Sequence, residues 1–399
     1  MTAARLVART VRGIEDVVAA EIRHRELGRV DHIGHREVWF RCADPSPDVL
    51  TLRTADDVFL VAAEVTGVGH TKADLRRLAK AAESVPLPRL LRLRERCGGS
   101  PTSVGVDVSA SFLGRRNYTR YDVEDAIGTP LSAALAIPYR TRRANQIPPP
   151  GGLSWRVTIT DDRALLALRI ADRPLHRRSY RVRSRPGSLH PPLAAAMLSL
   201  AAPSPTATIL DPFCGTGTIP IEAALAASRV IHSLRIVAGD RDPIALASAM
   251  TNIEQAVRTG ANATRLGDHH QNMYGNTVPD PRLKRGAPNH PGTLRITWTT
   301  ADAGHLPLTN DTIDLVVTNP PWARQVPPTG TLAQDPGRFW QELRRVLRPD
   351  GRALLLLPDA DEHIADAARA GLTVTSRRPV SLSGLHPEIV ELAPLGRSR

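Results

Sequence analysis

From residue 191 onward, short apolar runs alternate with stretches of helical spacing, and few folds accept that order. LAAAMLSLA at 193–201 reads as a helix and 207–210 as a buried strand. Helices follow over 219–228, 243–257 and 337–347, and strands over 234–239, 294–299, 312–318 and 352–357. Strands joined through helices run parallel, because each crossover returns the chain to the same end of the sheet. The fold class expected is therefore α/β, a doubly wound parallel sheet, with its last strands supplied by 372–392. The segment 265–293 is polar and rich in Pro, Gly, His and Asn, as expected of a mobile insertion between elements.

The front half reads as mixed α+β. VRGIEDVVAAEIRHREL carries Ile14, Val17, Val18 and Ile22 at helical spacing. Residues 29–41 suggest a strand or hairpin, 57–66 a strand, 72–82 a helix and 103–111 a half-buried strand. In LPRLLRLRER at 87–96, arginines alternate with leucines from Leu91 to Arg96. Asp122 can cap a helix running to about Leu135, and 155–171 suggests a hairpin turning near Asp161 and Asp162. Between Arg173 and Arg185 lie six arginines, bounded by prolines, which read as a linker able to act as a phosphate-contacting strap.

Charge separates the halves. Residues 1–190 hold 32 Lys+Arg against 21 Asp+Glu, and residues 191–399 hold 20 against 19. The 49 arginines and 3 lysines reflect a compositional bias, but that bias does not explain why the excess sits in front. A polyanion-binding front half is implied. No apolar run approaches the ~20 residues of a membrane span. MTAARLVART at the start lacks an apolar stretch of signal-peptide length, so a cytoplasmic protein is expected. Cys42, Cys97 and Cys214 form no CxxC pair, and the adjacent His269 and His270 do not converge on one ion, so no metal is expected.

Strand 207–210 runs into DPFCGTGTIP at 211–220, a glycine-rich turn where open α/β sheets bind ligands. A dinucleotide fingerprint needs a small residue at position 220, where this chain has Pro220, and no P-loop lysine follows, so the turn is not built for a pyrophosphate. Asp240 ends the next strand, 23 residues past Gly217, where ribose hydroxyls are held. Asp302 follows strand 294–299 and can accept from an adenine amino group. Together these indicate an adenosine moiety without phosphates. Then DLVV at 314–317 runs into TNPPW at 318–322. Proline cannot donate to a sheet ladder, so the strand must stop there.

DPFCGTG, GD, AD and NPPW, in this order, resemble the class I S-adenosylmethionine-dependent amino-methyltransferases. DPFCGTGTIPIEAA and the upstream RPLHRRSYR…SLHPPLAAAML look like the RNA-modifying branch with an N-terminal THUMP domain, the tRNA (guanine-N2-) methyltransferase family. The resemblance implies a C-terminal Rossmann-fold domain with a mostly parallel seven-stranded sheet at 191–399. It also implies an N-terminal ferredoxin-like region at 1–60, a THUMP domain at 61–171 and the Arg-rich linker at 172–190. It places S-adenosylmethionine on Asp211, Phe213, Gly215, Thr216, Gly217, Asp240 and Asp302, and catalysis on Asn319, Pro320 and Trp322. RNA, expected to be tRNA, is the implied partner, with Arg177, Arg178 and Arg181 as candidate strap contacts. A monomer is expected; some relatives need a small zinc-binding activator, which nothing in the sequence calls for.

The chemistry of NPPW fits an amine. The lone pair of an exocyclic amine is delocalised into the base, and acceptors on its hydrogens pull the nitrogen toward tetrahedral geometry. The Asn319 side-chain carbonyl and the Pro320 backbone carbonyl can do this from a turn stiffened by proline, while Trp322 offers a stacking face worth ~1–3 kcal/mol. Asn319 does not titrate and is no general base. Carbon-5 pyrimidine methylases attack with cysteine, and no cysteine lies after Cys214. Guanine N2 in rRNA, adenine N6 in RNA or DNA, a protein glutamine, and an inactive RNA-binding methylase fold stay open as alternatives. The basic front half disfavours the glutamine, and the intact Asp211, Gly215, Gly217, Asp240 and Asn319 disfavour the inactive fold.

Overall fold

Residues 3–227, 234–259, 269–272, 294–321, 327, 329–382 and 384–396 are described by the computed structural model of the chain. Two compact units emerge, one of Met1–Thr10 and Glu15–His176, the other of Val11–Ile14 and Arg177–Arg399.

The first unit is built on strands β1 (Ala4–Arg9), β2 (Arg29–Gly34), β3 (Glu37–Cys42), β4 (Asp57–Val65), β5 (Val106–Phe112), β6 (Leu153–Thr160) and β7 (Arg163–Arg169). Helices α1 (Glu15–His24), α2 (Leu75–Glu83), α3 (Leu87–Arg96) and α4 (Arg120–Leu135) accompany them. All seven strands form one sheet in the order β2-β3-β1-β4-β7-β6-β5, antiparallel throughout except for the β5–β6 pair. The expected division at 60/61 therefore falls inside β4, which pairs with β1 on one side and β7 on the other. The main core cluster includes Phe40, Leu60, Ile127, Trp155 and Leu168, and a smaller one gathers Val7, Phe59, Leu165 and Ala167.

Local chemistry accounts for the boundaries. The LPRLLRLRER stretch is helix α3 despite its partial alternation, with Pro88 in its first turn and Leu87, Leu90 and Arg94 buried. Helix α4 starts at Arg120, two residues before Asp122. Thr119 is the N-cap and Asp122 sits at N3 of a capping box, its Oδ2 accepting from the Thr119 N–H at 2.8 Å. Thr160 pairs with Arg163, so Asp161 and Asp162 form the two-residue turn, and Asp161 takes φ 52 there.

The second unit contains α5 (Pro191–Ala201), β8 (Thr208–Asp211), α6 (Thr218–Ala227), β9 (Arg235–Asp240) and α7 (Pro243–Arg258). Then come β10 (His269–Asn272), β11 (Arg295–Thr300), β12 (Ile313–Thr318), α8 (Thr331–Gln334), α9 (Gly337–Val346), β13 (Leu347–Leu357), α10 (Ala360–Arg369), β14 (Leu372–Pro379) and β15 (Glu388–Pro394). The strand order is β10-β11-β9-β8-β12-β13-β15-β14. It is parallel from β10 through β13, with β15 antiparallel between β13 and β14. The sheet has eight strands where seven were expected, because His269–Asn272 adds β10 beside β11. The rest of the 265–293 segment lies outside the described residues.

Consecutive buried residues run along the central strands, as in Leu315, Val316, Val317 and Thr318 of β12 and Ala353 to Leu357 of β13. Side chains alternate across a strand, so such runs mean that both faces of the sheet are covered. One face packs Leu210, Val316 and Leu355 against Phe339, Trp340 and Leu343 of α9. Each fully buried Leu or Phe contributes ~1.5–3 kcal/mol of transfer free energy.

Two expectations change here. Ile14 precedes α1 and groups with the second unit, where Val11 and Ile14 are fully buried and the Ser381 N–H donates to the Arg12 carbonyl at 3.0 Å. Residues 177–190 are not a linker but part of the second unit, with Tyr180 and Leu189 buried.

Candidate active site

The strand order reverses between β8 and β12, and a crevice at such a switch point is where open α/β sheets hold ligands. Asp211 ends β8. Its carboxylate, 1% exposed, accepts from Thr318 Oγ1 at 2.6 Å and from the Phe213 N–H at 3.2 Å. Thr318 ends β12, so this buried pair stitches the two strands across the switch point. Burial pushes the Asp211 carboxyl up to about 7, with the Asp240 charge adding to the rise and the Thr318 and Phe213 hydrogen bonds opposing it. Asp211 thus acts from inside the fold, shaping the turn.

The turn itself hangs on Asp240. The Gly215 N–H donates to Asp240 Oδ2 at 2.9 Å, and the Asp242 N–H to Asp240 Oδ1 at 2.8 Å. Asp240 therefore fastens the turn after β8 to the turn after β9, and each of its oxygens retains a lone pair. Burial raises its pKa against those two backbone donors. The two glycines differ in purpose. Both have positive φ, 53 at Gly215 and 83 at Gly217. A Cβ on Gly217 would meet Ala249 at 2.9 Å and Trp298 at 3.2 Å, whereas one on Gly215 would meet nothing within 4 Å. Gly217 lets α6 pack closely, and Gly215 leaves open space beside the turn.

Asp302 follows β11. Its Oδ1 accepts from the Gly304 N–H at 2.9 Å, and its Oδ2 from Thr331 N at 3.0 Å and Thr331 Oγ1 at 3.1 Å. Burial pulls its pKa up, but the Thr331 and Gly304 hydrogen bonds, with Arg241 nearby, outweigh that and hold the carboxyl below its usual range. Phe213 is half-buried, its ring centroid 5.2 Å from that of Phe339. Cys214 is buried, and burial pushes its thiol well above the ordinary value, so it packs as a small neutral side chain.

After β12, Pro320 is buried and Asn319 half-buried. Asn319 Nδ2 donates to the Gly187 carbonyl at 3.3 Å, which leaves Oδ1 as the acceptor of that amide. Trp322 lies outside the described residues.

Gly187 belongs to the segment expected to be a linker, and that segment is bound in at several points. Tyr180 Oη donates to Glu222 Oε1 at 2.8 Å and Arg178 Nε to the same oxygen at 3.0 Å. Arg185 pairs with Asp242 at 2.6 Å, and Ser188 Oγ lies 3.1 Å from Thr216 Oγ1. Asn252 of α7 clasps Arg183 and also bonds the Thr216 carbonyl at 3.0 Å. Of the three strap candidates, Arg178 is committed to the fully buried Glu222, and Arg181 is half-buried with bonds to the Leu189 carbonyl at 3.2 Å and Ser184 Oγ at 3.1 Å. Only Arg177 of the three is exposed. Sequence reasoning did not single out Glu222, Asn252 or Ser188. The available signal was polarity out of place, a Glu in TIPIEAALAA and an Asn in an otherwise apolar stripe of α7.

The chain resembles known proteins over its full length. It is 28% identical over 397 residues to a tRNA (guanine(6)-N2)-methyltransferase of Thermus thermophilus, covering 98% of this chain and 99% of that one. It is 32% identical over 207 residues to bovine tRNA (guanine(6)-N(2))-methyltransferase THUMP3, covering 51% of this chain and 35% of the relative. The crystal structure of TrmN from Thermus thermophilus superimposes with a TM-score of 0.69 at 26% identity, covering 98% of this chain and all of that one. Its architecture is thus a two-domain α/β methyltransferase fold. Residues 178–388, more than half of the chain, match the family model described as UPF0020: RMKL-like, methyltransferase domain, and the chain belongs to that family.

Proposed function

We propose that this chain transfers the methyl group of S-adenosylmethionine to the exocyclic N2 of a guanosine in tRNA. The observation that carries the reading is the corner after β12, where Asn319 is held through Nδ2 and keeps Oδ1 as an acceptor beside the buried Pro320. The second unit serves as a Rossmann-type methyltransferase domain, and the first, which carries a THUMP domain, holds the RNA. Similarity to the Thermus enzyme over both units supports this division.

The residues present fit the cofactor. Gly215 leaves open space at the turn, Asp240 keeps acceptor capacity for ribose hydroxyls, and Asp302 Oδ1 retains a lone pair for an adenine amino group. When bound, S-adenosylmethionine supplies an electrophilic methyl group on a sulfonium. The chain supplies geometry. Asn319 Oδ1 and the Pro320 carbonyl accept the two amino hydrogens of the base, which localises the nitrogen lone pair toward the methyl. A fixed acceptor needs no reorganisation as charge develops on nitrogen. Trp322, by its place after Pro321, stacks on the base, which must be unstacked from its neighbours to arrive. The released proton passes to water, since neither Asn319 nor a proline titrates.

The test is to incubate the purified chain with methyl-labelled S-adenosylmethionine and unmodified tRNA transcripts and identify the labelled nucleoside by mass spectrometry. N2-methylguanosine is expected. N6-methyladenosine would keep the amine mechanism and overturn the substrate, and unlabelled tRNA beside labelled rRNA in a parallel incubation with rRNA transcripts would overturn tRNA.

A further inference from the structure

Asn252 lies on α7 with 1% of its surface exposed, and its whole amide is engaged. Nδ2 donates to the Arg183 carbonyl at 2.9 Å and the Thr216 carbonyl at 3.0 Å, while Oδ1 accepts from the Arg183 N–H at 2.8 Å. One side chain thus grips both backbone groups of Arg183 and also the middle of the glycine turn. Beyond Arg183 the chain makes a tight turn. The Ser188 N–H donates to the Arg185 carbonyl at 3.0 Å, the Arg185 N–H to Ser188 Oγ at 3.0 Å, and Gly187 takes φ 77. Ser188 Oγ also meets Thr216 Oγ1 at 3.1 Å, and the Gly187 carbonyl receives Asn319 Nδ2. A continuous set of contacts therefore runs from the turn at Thr216 to the amide at Asn319.

We infer that Asn252 is a positioning residue that ties the cofactor turn to the Asn319 amide through residues 183–188. The inference rests on the functional reading above, in which Thr216 belongs to the cofactor site and Asn319 grips the base. Without the Asn252 amide, the Arg183 N–H and carbonyl and the Thr216 carbonyl lose their shared partner, and the turn that presents Gly187 is free to shift. A displacement of about 1 Å at a reacting group can cost on the order of 10²-fold in rate.

The experiment compares Asn252→Ala, Asn252→Asp and Ser188→Ala with the parent chain. Calorimetry gives the Kd for S-adenosylmethionine, single-turnover transfer to a tRNA transcript gives the chemical rate, and filter binding gives the tRNA Kd. The expected result for Asn252→Ala is a rate about 100-fold lower at saturating cofactor, a cofactor Kd about tenfold weaker, and an unchanged tRNA Kd. Asn252→Asp fills the same volume and still accepts from the Arg183 N–H, but turns an oxygen toward two carbonyls, so it should fall at least as far as alanine. A packing role alone would let aspartate restore what alanine loses, and that result would overturn the inference. Parental rate and affinity in a folded Asn252→Ala chain would also overturn it. Should both Asn252 variants fail to fold, Ser188→Ala decides, with a several-fold loss of rate expected and no loss overturning. If the parent binds the cofactor but leaves tRNA unlabelled, the tRNA reading alone fails, and the cofactor affinities of the variants decide the role of Asn252.

Discussion

Asp57 opens strand β4 in the first unit and Asp240 closes β9 in the second, and their surroundings could hardly differ more. Asp57 Oδ2 receives Arg169 Nε at 2.5 Å, Oδ1 receives the Val58 N–H at 3.0 Å, and the carboxylate is almost wholly buried. Arg9 pairs with Glu37 at 2.5 Å and Arg142 with Asp107 within the same unit. Asp240 is held by backbone N–H groups from two turns, and Asp302 by the backbone of Gly304 and Thr331. In the first unit a carboxylate is neutralised by a guanidinium and spends itself on the fold. In the second, backbone amides wrap loops around a carboxylate and leave acceptor capacity at the strand's C-terminal end, where the ligand crevice lies. The count of arginines therefore overstates what the front half can offer a polyanion, because several of them are already matched by carboxylates.

The sharpest way to test that contrast is at the polar strand ends. Asn319→Ala removes the acceptor with little change in packing. The expected outcome is a kcat lower by about 10²–10³-fold with the cofactor Kd unchanged, as for loss of one preorganised polar group in an active site; steady-state kinetics with calorimetry would check it. A fall in cofactor affinity matching the fall in rate would move Asn319 from the base to the cofactor.

Arg178 breaks the pattern from the other side, since it is a guanidinium spent on the fold in the second unit. Its partner Glu222 has no exposed side-chain surface. Arg178→Ala removes the guanidinium from a buried carboxylate, and a loss of about 3–5 kcal/mol is expected in urea unfolding. Activity per folded molecule should change little. Undiminished stability would mean that the strap is held elsewhere.

Asp211 adds a pH signature. Its folded pKa is raised to about 7, above the ordinary carboxyl value of 3.8. Between those values the folded chain keeps a proton that the unfolded chain has released, so Asp211 makes stability fall as pH rises from about 4 to 7, and the full cost persists above that. Thermal unfolding from pH 5 to pH 8 should show a decline that Asp211→Asn flattens. A rise in the same window that the variant leaves in place would show the carboxylate ionised and stabilised.

Much of the second unit was legible because its strands are buried on both faces and its ligand turns carry local signatures. Continuous apolar runs with intervening helical periods leave one arrangement, and Gly, Asp and Pro mark where it opens. The strap was not legible, since what binds Arg178, Arg183 and Ser188 is polar atoms on α6, α7 and the glycine turn, distant in sequence. A run of arginines between prolines looks the same whether it is solvated or clasped. In the first unit, the 60/61 boundary failed because β4 is shared between two pairings that no local pattern reveals. The Leu-Arg alternation at 87–96 carried no assignment, and the helix found there follows from Leu and Arg both favouring helix and from proline in the first turn.

The smallest expected effect bears on what is left of the strap as an RNA contact. Arg177 and Arg178 are neighbours in sequence with identical chemistry, yet Arg177 is exposed while the Arg178 side chain is 12% exposed and paired. Coulomb attraction to a phosphate needs a guanidinium that can leave its own surface, so Arg177 alone of the pair has that freedom. Arg177→Ala should therefore leave stability within about 0.5 kcal/mol and lower tRNA affinity modestly. The salt dependence gives the cleaner reading. One phosphate contact contributes a slope of about 0.7–0.9 in log K against log salt, so removing it should shallow the slope by that amount. An unchanged slope would remove Arg177 from the polyanion contacts, whereas a slope lost equally in Arg178→Ala would mean that the buried pair opens when RNA arrives.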